Sequence, residues 1–328
     1  MTMRLRTSIR IPILVSLALA TGLAAAPAAA ATPCPRVSTA FALPGAKVYP
    51  EGIAADDRTG EVYVGSYADG TVYRARPGRR TAEVFLPAGA DGRDTANGLR
   101  VDSRGRLWVT DSTTGVSVYD TATRTRLAHF EVGGSTPFFV NDLTITPDGT
   151  AWLTDSLRAV VYRVTPADLA RGAGELRVAY DLGLPGGTIT LNGIVSDPAG
   201  RYLLTANMTS GVLHRIDLRS GAVTQVALEG APDLRAADGL HLSPGGTGGI
   251  LRVAHNTTNT LTRWRLSPDG TRARLETRLT DPSLQIPTTL TRHHGRTLVV
   301  RSQFDKGGPM TPGTGAPTTF TVAAVHAL

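Results

Sequence analysis

Along this chain apolar and polar residues alternate in short runs, and one such run keeps returning. Residues 141–156, NDLTITPDGTAWLTDS, read as a strand, a Pro-Asp-Gly turn and a second strand, without the three-to-four spacing that a helix requires. Related stretches start at Pro50 (PEGIAADDRTGEVYVGS), Asn97 (NGLRVDSRGRLWVTDS), Asn192 (NGIVSDPAGRYLLTAN) and Asp238 (DGLHLSPGGTGGILRVAHN), with a degraded copy at Pro287 (PTTLTRHHGRTLVVRSQ). Their heads, Glu51, Asn97, Asn141, Asn192, Asp238 and Thr288, are 46, 44, 51, 46 and 50 residues apart. In the first unit strands are predicted over 52–55, 61–66, 71–76 and 82–86, with turns over 57–60 and 68–70.

Four strands joined by tight hairpins, repeated at this period, describe the blade of a propeller. Six units predict an all-β fold, a six-bladed β-propeller with four-stranded antiparallel blades. The C-terminal TTFTVAAVHAL and the early STAFALPG, which has no blade of its own, are expected to complete one sheet and close the ring. TPADLARGAGEL, from Thr165, has Pro just inside a Thr cap and predicts a turn of helix in the connection after blade three. Residues 307–317, rich in Gly and Pro, read as a loop of blade six.

The first strand of a blade is the innermost, so the heads converge at one mouth of the central channel. Glu51, Asn97, Asn141, Asn192 and Asp238 bring only carboxylate and amide oxygens there. Two carboxylates facing each other across a channel repel and are costly to desolvate unless a cation lies between them. Oxygen ligands with a charge near −2 suit a hard divalent ion, Ca²⁺ above Mg²⁺. Asn, Asp and Gly are also ordinary strand-entry residues, and a blade consensus kept for turns explains the same repeat.

Glu51-Gly52, Asn141-Asp142, Asn192-Gly193 and Asp238-Gly239, one per blade in this order, resemble the regucalcin, gluconolactonase and luciferin-regenerating-enzyme family of six-bladed propellers. The resemblance covers the chain from residue 31 to 328. It implies one divalent metal, usually Ca²⁺, held by Glu51, Asn192 and Asp238, with Asn141 as a fourth ligand or a substrate contact. Asn97 is expected near the site, acting through water. The family includes lactone hydrolases, and its distant relatives include paraoxonase-like and diisopropyl-fluorophosphatase-like enzymes. On that resemblance the chain is a metal-dependent hydrolase of a lactone or related ester, with Asp238 as the water-activating base and Asn141 beside it at the catalytic centre.

Sugar lactonases of the family tend to carry Arg two residues before the blade-three Asn, where this chain has Phe139. An aromatic cannot make the charge-assisted bonds of an Arg, so Phe139 points to a more apolar lactone or ester. His255, at the end of the second strand of blade five, is a candidate substrate contact and proton carrier, and His241 lies on the inner strand of that blade. The contrasting reading is a non-catalytic propeller that binds a protein or glycan through its rim loops, its metal only structural.

The remaining features bound where such a protein works. Arg4, Arg6 and Arg10 precede an apolar run over 11–23 that leads into Ala28-Ala29-Ala30, which reads residues 1–30 as a secretory signal peptide. Residues 31–328 are then a single domain, expected to be extracellular and monomeric, without a membrane span. Cys34 is the only cysteine, so no internal disulfide forms, and Thr32-Pro33 before it does not fit a lipid-attachment signal. Setting the three leader Arg aside leaves 31 basic against 27 acidic residues, a net +4. The Arg are scattered, which argues against nucleic acid as a partner. No Gly-x-Ser-x-Gly elbow or His-Glu-x-x-His motif occurs, and the seven His are dispersed.

Overall fold

The computed structural model describes residues 1–2, 35–231, 233–246, 248–308 and 315–328. All but the first two residues of the segment read as a signal peptide, Cys34 and the middle of the 307–317 loop lie outside these residues. The chain divides into Met1–Pro33 and Cys34–Leu328, and the second unit holds every strand described below.

Six separate sheets form, each a run of hairpins. Blade one consists of Pro50–Asp56, Glu61–Ser66, Val72–Ala75 and Glu83–Leu86, within two residues of the boundaries expected from the alternation. The inner strands of blades two to six are Leu99–Val101, Val140–Ile145, Leu191–Ser196, Ala237–Ser243 and Leu290–His293. Each inner strand touches the next in order, and that of blade six returns to blade one, so the sheets close into a six-bladed propeller. Closure uses the chain's two ends: Arg36–Ala42 is the outermost strand of blade six, antiparallel to Thr321–His326, with Arg36 opposite His326 and Ala42 opposite Thr321.

Two details differ from the sequence reading. The helix Pro166–Arg171 sits inside blade three, between its third strand Val160–Val164 and its outer strand Arg177–Asp181, not after the blade. It is held by a capping box: Thr165 accepts from the Asp168 amide, and the Asp168 carboxylate accepts from the Thr165 amide. Blades two and five each carry a fifth strand, because Ala173–Glu175 runs parallel to Arg126–Glu131 and Ala227–Glu229 parallel to Arg272–Thr280. Three-residue strands are too short to show a period, so the pattern does not reveal them.

Alternation along each strand buries one set of side chains against each neighbouring blade. Six apolar clusters result, one per blade interface; between blades one and two, Ala54, Tyr63 and Phe85 meet Leu99, Leu107 and Tyr119. Each such Leu or Phe contributes about 1.5–3 kcal/mol by leaving water, so six interfaces hold the ring without a disulfide. No helix among the described residues is long and apolar enough to cross a membrane.

Candidate metal centre at the channel mouth

Between Pro50 and Ser66, Val140 and Asp155, Leu191 and Asn207, and Ala237 and His255, the antiparallel register slips over the two residues after the first pair. The head residue stands in each slip, where it is released from strict strand pairing at the inner rim. Glu51, Asn141, Asn192 and Asp238 thereby reach one cavity of about 230 Å³, walled by Tyr67, Phe139, Ile189, Met208, Ile286 and Phe304. Asn256, Thr257 and Asp305 complete its lining.

Buried polar atoms normally find partners. Here Glu51 Oε2, Asn141 Oδ1, Asp238 Oδ1 and Asn97 Oδ1 are all buried without a donor. In three of the four the other polar atom is engaged: Asn141 Nδ2 donates to Ser156 Oγ (3.0 Å), Asp238 Oδ2 accepts from Asn256 Nδ2 (2.8 Å), and Asn97 Nδ2 donates to the Val140 carbonyl (3.4 Å). Asn192 Nδ2 lies 3.3 Å from Met208 Sδ. What stays free is a set of oxygen acceptors.

Charge is also unbalanced. Glu51, Asp142 and Asp238 are 6%, 3% and 4% exposed, and among the described residues the cation beside them is Arg100, with Nη2 3.4 Å from Asp142 Oδ2. Burial, then Asp238 and Asp142, raises the Glu51 carboxyl well above its usual range, with Arg100 opposing. Burial likewise pushes Asp238 up to about 8, against the Asn256 hydrogen bond. Among the described residues no group of three or more His, Cys, Asp or Glu is arranged to hold a metal. The donors that converge are instead two carboxylates and two amides, a set that fits an oxygen-seeking divalent cation and no soft one.

The structure brings together Glu51, Asn141, Asn192, Asp238 and Phe139. Phe139 stacks on Tyr67 with centroids 6.3 Å apart, and Tyr67 meets Phe304 edge-on at 5.7 Å. Asn97 is wholly buried and does not line the cavity. His255 does not line it either: Nδ1 bonds to the Arg235 carbonyl (3.0 Å) and Nε2 to Thr262 Oγ1 (2.9 Å). It holds the place where Asp155 and Asn207 support the corresponding turns, Asp155 through the Phe139, Leu157 and Arg158 amides and Asn207 through those of Thr209 and Ser210.

The next residue, Asn256, is the contact that sequence reasoning missed. Strand pairing places Ser156, Met208 and Asn256 in register, each bonded to its own blade's head, but they stand 15, 16 and 18 residues past those heads, so spacing along the sequence hides the equivalence. The wall is partly in register too: Ile286 stands two residues before its head as Phe139 does, and the Tyr67 amide donates to the Tyr49 carbonyl as the Ser156 amide does to that of Phe139, but the residue types at these positions differ from blade to blade. A larger depression of about 700 Å³ lies among Asp102, Arg106, Asp148 and Asp197. It contains no head residue, and its carboxylates are already engaged, Asp102 with Arg106 and Asp197 with Arg201.

Burial lowers the pKa of His214, His255 and His293, which are 7%, 4% and 7% exposed. Folding disfavours their charged form, whereas the unfolded chain protonates them below about pH 6.5. Their stabilising contribution is therefore present above that pH and is lost as pH falls toward the folded-state values, at about 1.4 kcal/mol per unit for each His that stays neutral. In melting scans His255→Asn is expected to lose less stability than the wild type between pH 7 and 5, the raised carboxyls Glu51 and Asp238 contributing alike to both. An unchanged slope removes the assignment.

Solved structures of the same fold include a gluconolactonase from Xanthomonas campestris (20% identity, TM-score 0.61, covering 89% of each chain) and a luciferin-regenerating enzyme (12%, TM-score 0.62, 89% of this chain and 95% of that one). An auxiliary nutrient binding protein from Bacteroides ovatus is similar as well (11%, TM-score 0.62, 89% of this chain and 76% of that one). No curated protein matches the sequence. At such identities these likenesses establish the fold alone. The SMP-30/Gluconolactonase/LRE-like region, however, matches residues 49–288, and the chain belongs to that family.

Proposed function

We propose that this protein hydrolyses a lactone or related ester with the help of a divalent cation, Ca²⁺ by preference, held by Glu51, Asn141, Asn192 and Asp238. The observation that carries the reading is the set of buried head oxygens without donors at an otherwise apolar cavity. Family membership supports the reaction class. When bound, such an ion supplies Lewis-acid polarisation of a carbonyl.

The chain's own groups do the rest. Asn256 holds Asp238 Oδ2, which leaves Oδ1 as the oxygen to receive a proton from water, the role of a general base. Ser156 fixes the Asn141 amide with its oxygen free to contact the ion or the substrate. Tyr67, Phe139, Ile189, Met208, Ile286 and Phe304 exclude water and offer no cation to a sugar hydroxyl or carboxylate, so the substrate is a lactone or ester with an apolar or aromatic substituent.

A panel of lactones and aryl esters, assayed with Ca²⁺ and with EDTA, tests this. Apolar lactones or esters are expected to turn over only with the ion, and better than polyhydroxylated lactones. Phe139→Ala should lower kcat/KM for apolar substrates about tenfold, the loss of roughly 1.4 kcal/mol of contact. Saturable binding without turnover across the panel would instead favour the non-catalytic propeller.

A further inference from the structure

Ile286 belongs to the apolar wall of the cavity and packs, as Tyr67 does, against the cluster that contains Phe304. Its backbone is unusual for its type. A β-branched residue rarely takes positive φ, and a residue before proline prefers extended backbone, yet Ile286, followed by Pro287, has φ 60° and Gln285 before it φ 52°. Such a conformation persists only where its surroundings over-determine it. Three hydrogen bonds do so here. The Ile286 carbonyl accepts from the Ser302 amide (3.3 Å) and from Ser302 Oγ (2.8 Å), and the Ile286 amide donates to Asn259 Oδ1 (2.7 Å).

Asn259 ends the hairpin turn between Ile250–His255 and Thr260–Leu266 of blade five, where its amide donates to the Asn256 carbonyl (3.2 Å). One turn thus holds Asp238 through Asn256 and Ile286 through Asn259. The repeat itself asks for no side chain at this place. Three residues past Tyr67, Ser156, Met208 and Asn256 stand Gly70, Ala159, Gly211 and Asn259, all at positive φ (70°, 56°, 78° and 48°), and the first three carry no side-chain acceptor. Glycine meets that backbone requirement without steric cost, so the amide oxygen of Asn259 is an addition to the turn. Nor does the amide two residues before a head need such a brace: that of Ala236 donates to the Met208 carbonyl (2.8 Å), and that of Phe139 to Asp155 Oδ1 of its own blade (3.0 Å).

We propose that Asn259 is a positioning residue for substrate selection: it seats Ile286 in the cavity wall, and the seated wall favours a lactone bearing an apolar chain over the bare ring. The assignment rests on the reading of this cavity as the place where a lactone or ester binds. Among the described residues none of the hydrogen bonds of Asn259 reaches a head residue, so its loss acts on the apolar side of the cavity and leaves the cation ligands in place. Without the acceptor the Ile286 amide loses its partner, the strained backbone relaxes, and the contact with an apolar chain goes with it.

The test compares γ-nonalactone, which carries a pentyl chain, with γ-butyrolactone, by kcat/KM in Ca²⁺ or, where no turnover occurs, by calorimetric Kd. The wild type is expected to favour γ-nonalactone by about tenfold or more, the range that added methylenes command in an apolar pocket. Asn259→Gly keeps the positive φ and removes the acceptor; it should cut this preference about fivefold while changing the Kd for Ca²⁺ by less than about twofold. Asn259→Asp keeps an acceptor and should restore the preference. If Asn259→Gly fails to fold, Ser302→Ala, which removes a donor to the Ile286 carbonyl, carries the same requirement. An unchanged preference in the folded variant, a wild type that does not discriminate between the two lactones, or a parallel loss of Ca²⁺ affinity overturns the assignment. Binding of both lactones without turnover would remove the hydrolase reading, and the ratio of Kd values would still decide for or against Asn259.

Discussion

Glu51→Gln and Asp238→Asn are each expected to abolish Ca²⁺ binding and hydrolysis while leaving the metal-free protein at least as stable as the wild type. Each substitution keeps the shape of the side chain and removes a carboxyl that burial holds above its usual range. With the ion absent, that carboxyl is a burden, charged or carrying a proton, because among the described residues Glu51, Asp142 and Asp238 share one enclosed region in which Arg100 is the opposing cation. Removing a like charge from such a group is neutral or stabilising by about 1–3 kcal/mol. With the ion present, the same carboxylate is a ligand, and its loss costs about 4 kcal/mol, or a thousandfold in affinity. Calorimetry with Ca²⁺ and melting scans in EDTA separate the two effects. If the heads were only a consensus for strand entry, the variants would lose stability in EDTA and respond to Ca²⁺ as the wild type does, and that result would sink the metal centre.

Much of this centre is legible in the amino-acid sequence, and the reason is the repeat. Six copies of one hairpin unit put Glu51, Asn141, Asn192 and Asp238 at equivalent positions, and a closed ring makes equivalent positions neighbours. What the repeat does not encode stays hidden. The wall comes from loops between strands, where equivalent positions carry unlike residues: Ile286 stands where Phe139 does and Tyr67 where Ser156 does, so the repeat marks the positions but not their apolar character. Asp142 and its partner Arg100 sit one and three residues past their heads, where the alternation marks them only as inner-strand residues. His255 stands out as a chemically able side chain, yet its position in the unit is that of Asp155 and Asn207, which serve the turn. Position within the repeat is the better guide than residue chemistry.

Gly193→Ala and Gly52→Ala are expected to destabilise the fold by about 3 kcal/mol or more, a fall of roughly 10 °C in melting temperature, even though alanine is the smallest change available. The glycine after four of the six heads invites a turn explanation, but Gly52, Gly98, Gly193 and Gly239 are absent from the positive-φ glycines, so their backbone is open to any residue. Their requirement is close approach between blades. A Cβ on Gly52 would stand 1.8 Å from the Asn97 carbonyl oxygen, on Gly98 2.6 Å from Asp142 Cα, on Gly193 2.4 Å from the Asp238 carbonyl oxygen and on Gly239 2.7 Å from Thr289 Cα. The Gly98 amide donates to the Asn141 carbonyl (2.9 Å) and the Gly239 amide to the Thr288 carbonyl (2.7 Å), so the heads are stitched one to the next by their own main chain. Gly193→Ala pushes directly on the peptide that carries Asp238, and it should weaken Ca²⁺ binding as well as the fold. Gly133→Ala is the control, since its Cβ would meet only the Glu175 side chain at 3.0 Å, and it should change stability by less than about 1 kcal/mol. Equal stability of Gly193→Ala and Gly133→Ala would mean that the inner rim can open without cost. The head oxygens would then have no rigid frame to hold them together, and the metal centre would lose the physical basis of its preorganisation.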